Sequence, residues 1–311
     1  MAGKGNTKKS GGILCQGVRV RYAFIYSYRY QYPVRISCRV LDVSHSGYYG
    51  FVRRRGDEIK QADLITLIKE VHRQSRYTYG SRRIMHQLRK NGLMIGRYRV
   101  RRLMRQAEIT VKKKRRYKIT TRSNHRYPVS PNLIQRCFQT EKPNLVWVSD
   151  ITYIKTMEGW LYLAVVMDLY SRKIVGWALA RNMAVELVKS ALVMAIGRRK
   201  PGDGLIHHSD RGIQYACDEY RRLLQSHGMV SSMSRSGNCL DNAVAESFFH
   251  TLKKEFLLDW RDMSAGEVKH DIVDYIEMFY NSQRLHSFND YLSPNDFEQE
   301  LLSLNRLSVF T

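Results

Sequence analysis

Beyond Pro143 the apolar positions change period several times. Leu145–Ile154 (LVWVSDITYI) is a run of β-branched and aromatic residues and predicts a strand. Trp160–Asp168 and Lys173–Ala180 predict two more, the first entered through a Glu158-Gly159 turn, and three strands in succession suggest an antiparallel meander. Met183–Arg198 has helical spacing. Leu205–His208 is a short buried-type strand ending at Ser209-Asp210, Asp218–His227 a helix, Val230–Met233 a strand and Leu240–Leu258 a long helix. The order βββ-α-β-α-β-α predicts an α/β fold, a mixed sheet covered by helices.

Upstream the periodicity is helical throughout. Residues 34–52 predict a short helix, a turn at Ser46-Gly47 and a Tyr-rich exit. In 57–75, Ile59, Ala62, Leu64, Ile65, Ile68 and Val71 fall at helical spacing. Ser81–Lys90 and Gly96–Gln106 read as two helices joined at Asn91-Gly92, the second with Val100, Leu103 and Met104 on one side and Arg97, Arg101, Arg102 and Arg105 on the other. This is a helix-turn-helix pattern whose second helix would enter a DNA major groove. The expected organisation is a poorly ordered basic lead (1–33), an all-α helix-turn-helix region (34–111), a basic linker (112–144), the α/β core (145–260) and a C-terminal helical extension (261–311).

Charge sharpens this division. Residues 1–149 carry 34 Lys and Arg against 7 Asp and Glu, whereas 150–311 carry 18 against 21. A basic half joined to a neutral, carboxylate-bearing half implies a polyanion-binding module attached to something else. From Arg97 to Arg126 there are 13 basic residues and one acid, Glu108. The run Lys112, Lys113, Lys114, Arg115 and Arg116 adds candidate phosphate contacts. The five cysteines are odd in number and include no CxxC pair, which argues against a zinc ribbon or disulfide framework and fits a reducing cytoplasm. No apolar run approaches the length of a membrane span.

Three acids fall where chemistry would use them. Asp150 lies inside the first apolar strand, where an unpaired charge is costly. Asp210 follows a short strand, in HHSDRG. Glu246 lies in the last long helix, with 35 residues between it and Asp210. His250 and Lys253, at i+4 and i+7, share the Glu246 face, whereas Asp241 and Glu255 point away. Converging carboxylates repel, and Mg²⁺ would resolve the conflict through hard oxygen ligands. Two ions would suit phosphodiester chemistry, with Lys253 reaching a phosphate. His207, His208, Asn238 and Asn242 are secondary candidates for DNA or metal contact, each with a structural alternative. Asp168 is the rival carboxylate and reads as a turn acid.

The segments WVSDITYI, DLYSRKIVGW, HHSDRGIQY, SRSGNCLDNAVAESFFHTLKKE and YNSQRLHSFNDYLSP resemble the integrase-type core of bacterial DDE transposases, specifically the second-reading-frame product of the insertion-sequence-3 family. The resemblance spans roughly residues 34–300. It implies an RNase H-like core with Asp150, Asp210 and Glu246 as catalytic metal ligands for Mg²⁺ or Mn²⁺. It also implies hydrolysis at the element ends and transfer of the freed 3′-hydroxyl to another phosphodiester. Expected partners are terminal-repeat and target DNA, further copies of the chain on that DNA, and the element's first-frame product, since residues 1–33 show no zipper heptads. Asn281, Arg284 and His286 with Ser293-Pro294 form a family-like C-terminal signature whose role, packing or DNA binding, the sequence leaves open. A purely hydrolytic metal-dependent nuclease, a DNA-binding regulator that does not cut, and an inactive element copy are the rival readings.

Overall fold

The computed structural model describes residues 12–111, 127–235, 239–255 and 260–308. The chain divides into two compact units, Met1–Arg73 with Gln87–Thr110 and Gln74–His86 with Val111–Thr311.

The N-terminal helices are α1 (Val18–Tyr28), α2 (Val34–Val40), α3 (His45–Gln74), α4 (Ser81–Lys90) and α5 (Arg97–Gln106). Two expectations change here. The lead at 1–33, expected to be poorly ordered, contains a helix; residues 1–11 lie outside the described residues. Val18–Tyr28 is helical because Tyr22 and Ile25 pack into a small core with Cys38, Leu41, Tyr48 and Phe51. Nor is Ser46-Gly47 a turn, for both residues belong to α3. The missing side chain at Gly47 serves close packing, since a Cβ there would collide with the Tyr22 hydroxyl. The α4–α5 pair forms as the periodicity predicts, with Ile84, Leu88, Val100 and Leu103 fully buried. The connection turns at Gly92, which has φ +87°.

Among the described residues of the second unit, one five-stranded sheet forms from β1 (Val146–Thr156), β2 (Gly159–Asp168), β3 (Ile174–Ala180), β4 (Ile206–Ser209) and β5 (Val230–Met233). The spatial order is β3-β2-β1-β4-β5. β1 to β3 make the expected antiparallel meander, and β4 and β5 add in parallel beside β1. This is the RNase H-like arrangement. Helix α6 (Val185–Arg199) lays Leu187, Val188, Ala191, Leu192 and Ala195 on the sheet. Gly176 in β3 lets it approach, because a Cβ there would strike the α6 backbone at Ala191. The short α7 (Ile213–Ala216) and α8 (Asp218–Ser226) add Tyr215, Tyr220 and Leu224 to the same core, which includes the fully buried Trp147.

Residues 127–144 do not run as an extended linker. Ser130 donates to Ser231 and the Leu133 amide to Ser232, both at 3.0 Å, so the segment pairs with the β5 side of the sheet. Residues 112–126 lie outside the described residues. The C-terminal extension is equally integral. After α9 (Ala243–Glu255) and α10 (Ala265–Val273), a π-helical turn at Asp274–Tyr280 delivers Asn281 to the edge strand β3. The Asn281 carboxamide accepts from the Ile174 amide at 3.0 Å and donates to the Ile174 carbonyl at 2.9 Å. A side chain thereby satisfies backbone groups that an edge strand would leave open. Glu298 of α11 (Pro294–Ser308) accepts from Ser171, Lys173 and Arg199. The signature therefore packs. Arg284 is 3% exposed and grips Glu255 in a bidentate pair at 2.6 and 2.7 Å, with Arg83 and the Tyr275 hydroxyl on the same carboxylate.

Breaking one partner of a buried ion pair strands the other charge, at a cost of about 3–5 kcal/mol. Arg284→Met should lower unfolding free energy by about that amount in urea titrations. Arg284→Lys, which keeps the charge without the fork, should recover part of the loss.

Candidate active site

The site is built where β1 and β4 run in parallel. Their register ends at the pair Ser149↔Ser209, so the next residues, Asp150 and Asp210, emerge side by side at the carboxyl end of β4. Ligand sites in open α/β sheets lie at such strand ends. The Ile151 amide donates to Asp150 Oδ1 and the Gly212 amide to Asp210 Oδ1, each at 2.8 Å, which orients both carboxylates. Gly212 has a second reason to lack a side chain: a Cβ would come within 2.9 Å of Asp210 Oδ1.

Helix α9 brings the third acid. The Asn242 carboxamide, in the 3₁₀ turn Cys239–Asn242, donates to the Ser149 carbonyl at 3.2 Å and ties the helix entrance to the strand that carries Asp150. Glu246 follows one turn later. Two turns further on, Lys253 donates from Nζ to Thr152 Oγ1 at 2.6 Å and lies over the Tyr153 ring, which fixes the helix along β1. Before the helix, Asp241 is closed off from solvent and paired with Arg235 and Arg136, which hold its carboxyl well below the usual range. At its far end stands the Glu255–Arg284 pair. Asp241 and Glu255 thus point away from the triad, as the helical spacing predicts.

Burial pushes the Asp150 carboxyl well up, and the charge of Asp210 pushes it further. Glu246 adds a smaller push, partly opposed by the Ile151 amide and Lys253. Glu246 is raised by burial and then by Asp210. The charge of Asp210 thus acts on both other acids, though among the described residues no group of three or more His, Cys, Asp or Glu side chains is placed to hold a metal ion. Lys253 is pulled down to about 8 by burial, against the opposing charge of Asp150.

The other candidates separate cleanly. His207 and His208 are buried, and their ring nitrogens are used inside the sheet. His207 Nε2 meets Ser149 Oγ and the Tyr220 hydroxyl, and His208 meets Ser232 and Ser234. Burial lowers their pKa values to about 3 and about 4, so both are neutral structural groups, and His208 does not face the carboxylates as a ligand. Asp168 is buried beneath the Asn144 and Tyr170 amides and Arg199, away from the triad's own contacts. Asn238 lies outside the described residues, as do Lys112, Lys113, Lys114, Arg115 and Arg116. On α5, Arg97, Arg101, Arg102 and Arg105 are all exposed. Tyr98 (83% exposed) and Arg99 extend this face and were missed because Tyr98 reads as an apolar position in the helical pattern. Gly212 and Thr152 were also missed. The Asp-Arg-Gly spacing carried a signal for the first, and nothing in the sequence marked the second.

Comparison with known proteins follows the same division. An integrase core domain family model matches residues 140–239, a further integrase core domain model residues 246–302, and an HTH-like domain model residues 58–117. The uncharacterized 31 kDa protein of insertion element IS600 from Shigella sonnei is 46% identical over 85% of this chain and 97% of its own length. The transposase InsF for insertion sequence IS3A from Escherichia coli K12 is 37% identical over 91% of this chain and 100% of its own. Among solved structures, the HTLV-2 integrase catalytic core domain in complex with magnesium is similar at a TM-score of 0.38 and 18% identity, over 47% of this chain and 92% of that one. Identity at this level, over nearly the full length of the two bacterial relatives, means that the chain belongs to the insertion-sequence-3 family of DDE transposases.

Proposed function

We propose that Asp150, Asp210 and Glu246 are the catalytic metal ligands with which this transposase cuts the ends of its element and joins them to target DNA. The observation that carries the reading is the Ser149↔Ser209 register, which makes Asp150 and Asp210 neighbours, together with the anchoring of α9 over them. Asp150 and Glu246, both pushed up by burial and then by the charge of Asp210, form with it a donor set that a hard dication would relieve. The donors are carboxylate oxygens, the ligand type that Mg²⁺ or Mn²⁺ would take together with water and phosphate. Mg²⁺ or Mn²⁺, as a pair of ions, would supply activation of the attacking oxygen and stabilisation of the leaving oxygen.

The chain's own groups do the rest. Lys253 keeps most of its charge at neutral pH and stands beside Asp150, in place to pair with the phosphate next to the scissile bond. The exposed arginines of α5 engage the duplex, and the Lys112–Arg116 run adds phosphate contacts that make binding strongly salt-dependent. The terminal repeats of the element, its target DNA, further copies of the chain and the first-frame product are the partners of this reading. Among the described residues no helix is long and apolar enough to cross a membrane.

The direct test is incubation with Mg²⁺ and labelled DNA carrying the repeats that flank the gene. Wild type should yield joined products. Asp150→Asn should yield none while retaining DNA binding, and cleaved but never joined DNA would identify a hydrolytic nuclease instead. Lys253→Met should slow cleavage about 10²-fold or more, in the range of other lost charge-stabilising donors, with a much smaller effect on duplex affinity in gel shifts.

The pH behaviour of the metal-free chain is a separate readout. The folded protein holds the Asp150 proton to higher pH than the unfolded chain does. Asp150 therefore subtracts stability as pH rises through the ordinary carboxylate range. In chelator at neutral pH, Asp150→Asn should melt higher than wild type, by on the order of 1 kcal/mol or roughly 2–4 °C. The two should converge near pH 3, and Mg²⁺ should raise the melting temperature of wild type alone.

A further inference from the structure

The matched HTH-like domain begins at residue 58. Ahead of it, within the first unit, a second arrangement of the same kind stands on its own core. Just past the Leu41 cap of α2, Asp42 takes the left-handed φ of 49°, and the Val43 amide returns to the Cys38 carbonyl at 3.0 Å. Only Leu41–Ser44 separate α2 from α3. Ser44 caps α3 by accepting from the Gly47 amide at 3.2 Å. Arg21 of α1 reaches back to the Leu41 and Asp42 carbonyls at 3.1 and 3.3 Å, and the Tyr22 hydroxyl donates to the Ser44 carbonyl at 3.1 Å. The connection is therefore held from behind by α1. Tyr22, Ile25, Cys38, Leu41, Tyr48 and Phe51 draw one shared core from all three helices.

A helix, a turn of about four residues and a second helix, braced by a third, is the frame of a DNA-reading helix-turn-helix. Opposite the buried Tyr48 and Phe51, the outward face of α3 carries His45, Tyr49 and Arg53, one per turn and all exposed. The His45 ring lies edge-on to Tyr49, with centroids 5.0 Å apart. Arg35 and Arg39 are exposed on α2, the helix that in this frame crosses the DNA backbone. Across residues 18–55 there are eight Arg and a single acid, Asp42. We propose that α1–α3 form a second duplex-DNA-binding module, in which the first turns of α3 enter a major groove and His45, Tyr49 and Arg53 face the bases and phosphates. The chain would then hold its DNA through two helix-turn-helix modules rather than one.

This rests on DNA binding by the family and not on the carboxylate site, so its test needs no cleavage. Full-length Asp150→Asn protein is footprinted with hydroxyl radicals, without divalent metal, on a duplex carrying the repeat that flanks the gene. Combining His45→Ala, Tyr49→Ala and Arg53→Ala should erase one protected patch and weaken binding at least 10-fold, with the remaining protection in place. Arg101→Ala with Arg105→Ala should erase a different patch. The single change Arg53→Glu, on an exposed helix face, should weaken the first patch without altering the melting curve. A footprint unchanged in both α3 variants, with affinity within twofold of the parent, would overturn the proposal. So would an unchanged footprint accompanied by altered sedimentation of the DNA-free chain, which would make this face a contact between copies.

Discussion

Everything at the carboxylate site depends on the register of two short parallel strands. β4 has four residues, and its pairing with β1 decides whether Asp210 arrives beside Asp150. A slip of one residue would turn Asp210 to the other face of the sheet. The His207–Ser149–Tyr220 and His208–Ser232–Ser234 contacts lock this register across three strands. That gives the histidine pair a purpose other than ligation. Buried and held neutral, the rings bridge hydroxyls without adding charge next to a cluster that already has too much of one sign.

The second constraint is the position of α9, whose inward face bears Glu246, an acid that the sheet's own acids repel. Anchors at both ends oppose that repulsion. Asp241 is held by Arg235 and Arg136 ahead of the helix, and Glu255 by Arg284, Arg83 and Tyr275 at its close. Each anchor is a carboxylate with its own cations, which pull its pKa down, whereas Asp150 and Glu246 are pushed up. Acids close together in sequence thus have opposite electrostatic fates. Those matched by arginine hold structure, and those grouped beneath α9 raise one another's proton affinity.

A division of labour follows along the chain. The N-terminal residues concentrate arginine on exposed helical faces over small apolar cores, which favours contact with a polyanion. In residues 150–311, by contrast, arginines pair with the buried acids Asp168, Asp241, Glu255 and Glu298. The near-neutral charge balance of residues 150–311 therefore hides a strongly polar interior, including the C-terminal signature.

Alternating and helical periods, the Asp and Glu spacing and the charge division were legible in the sequence, because local geometry maps directly onto residue intervals. They marked Asp150, Asp210, Glu246 and Lys253, the order of the strands and the helices of the α4–α5 pair. Contacts between residues far apart in the chain have no such local imprint. Only tertiary structure showed that Asn281 patches the edge of β3, that Arg284 belongs to Glu255, and that His208 is spent on serines. The same holds for residues 127–144, whose polar composition suggested a linker although their hydrogen bonds lie on the sheet. Composition also misjudged residues 18–28, since two buried side chains suffice to order a helix once α2 and α3 supply the matching surface.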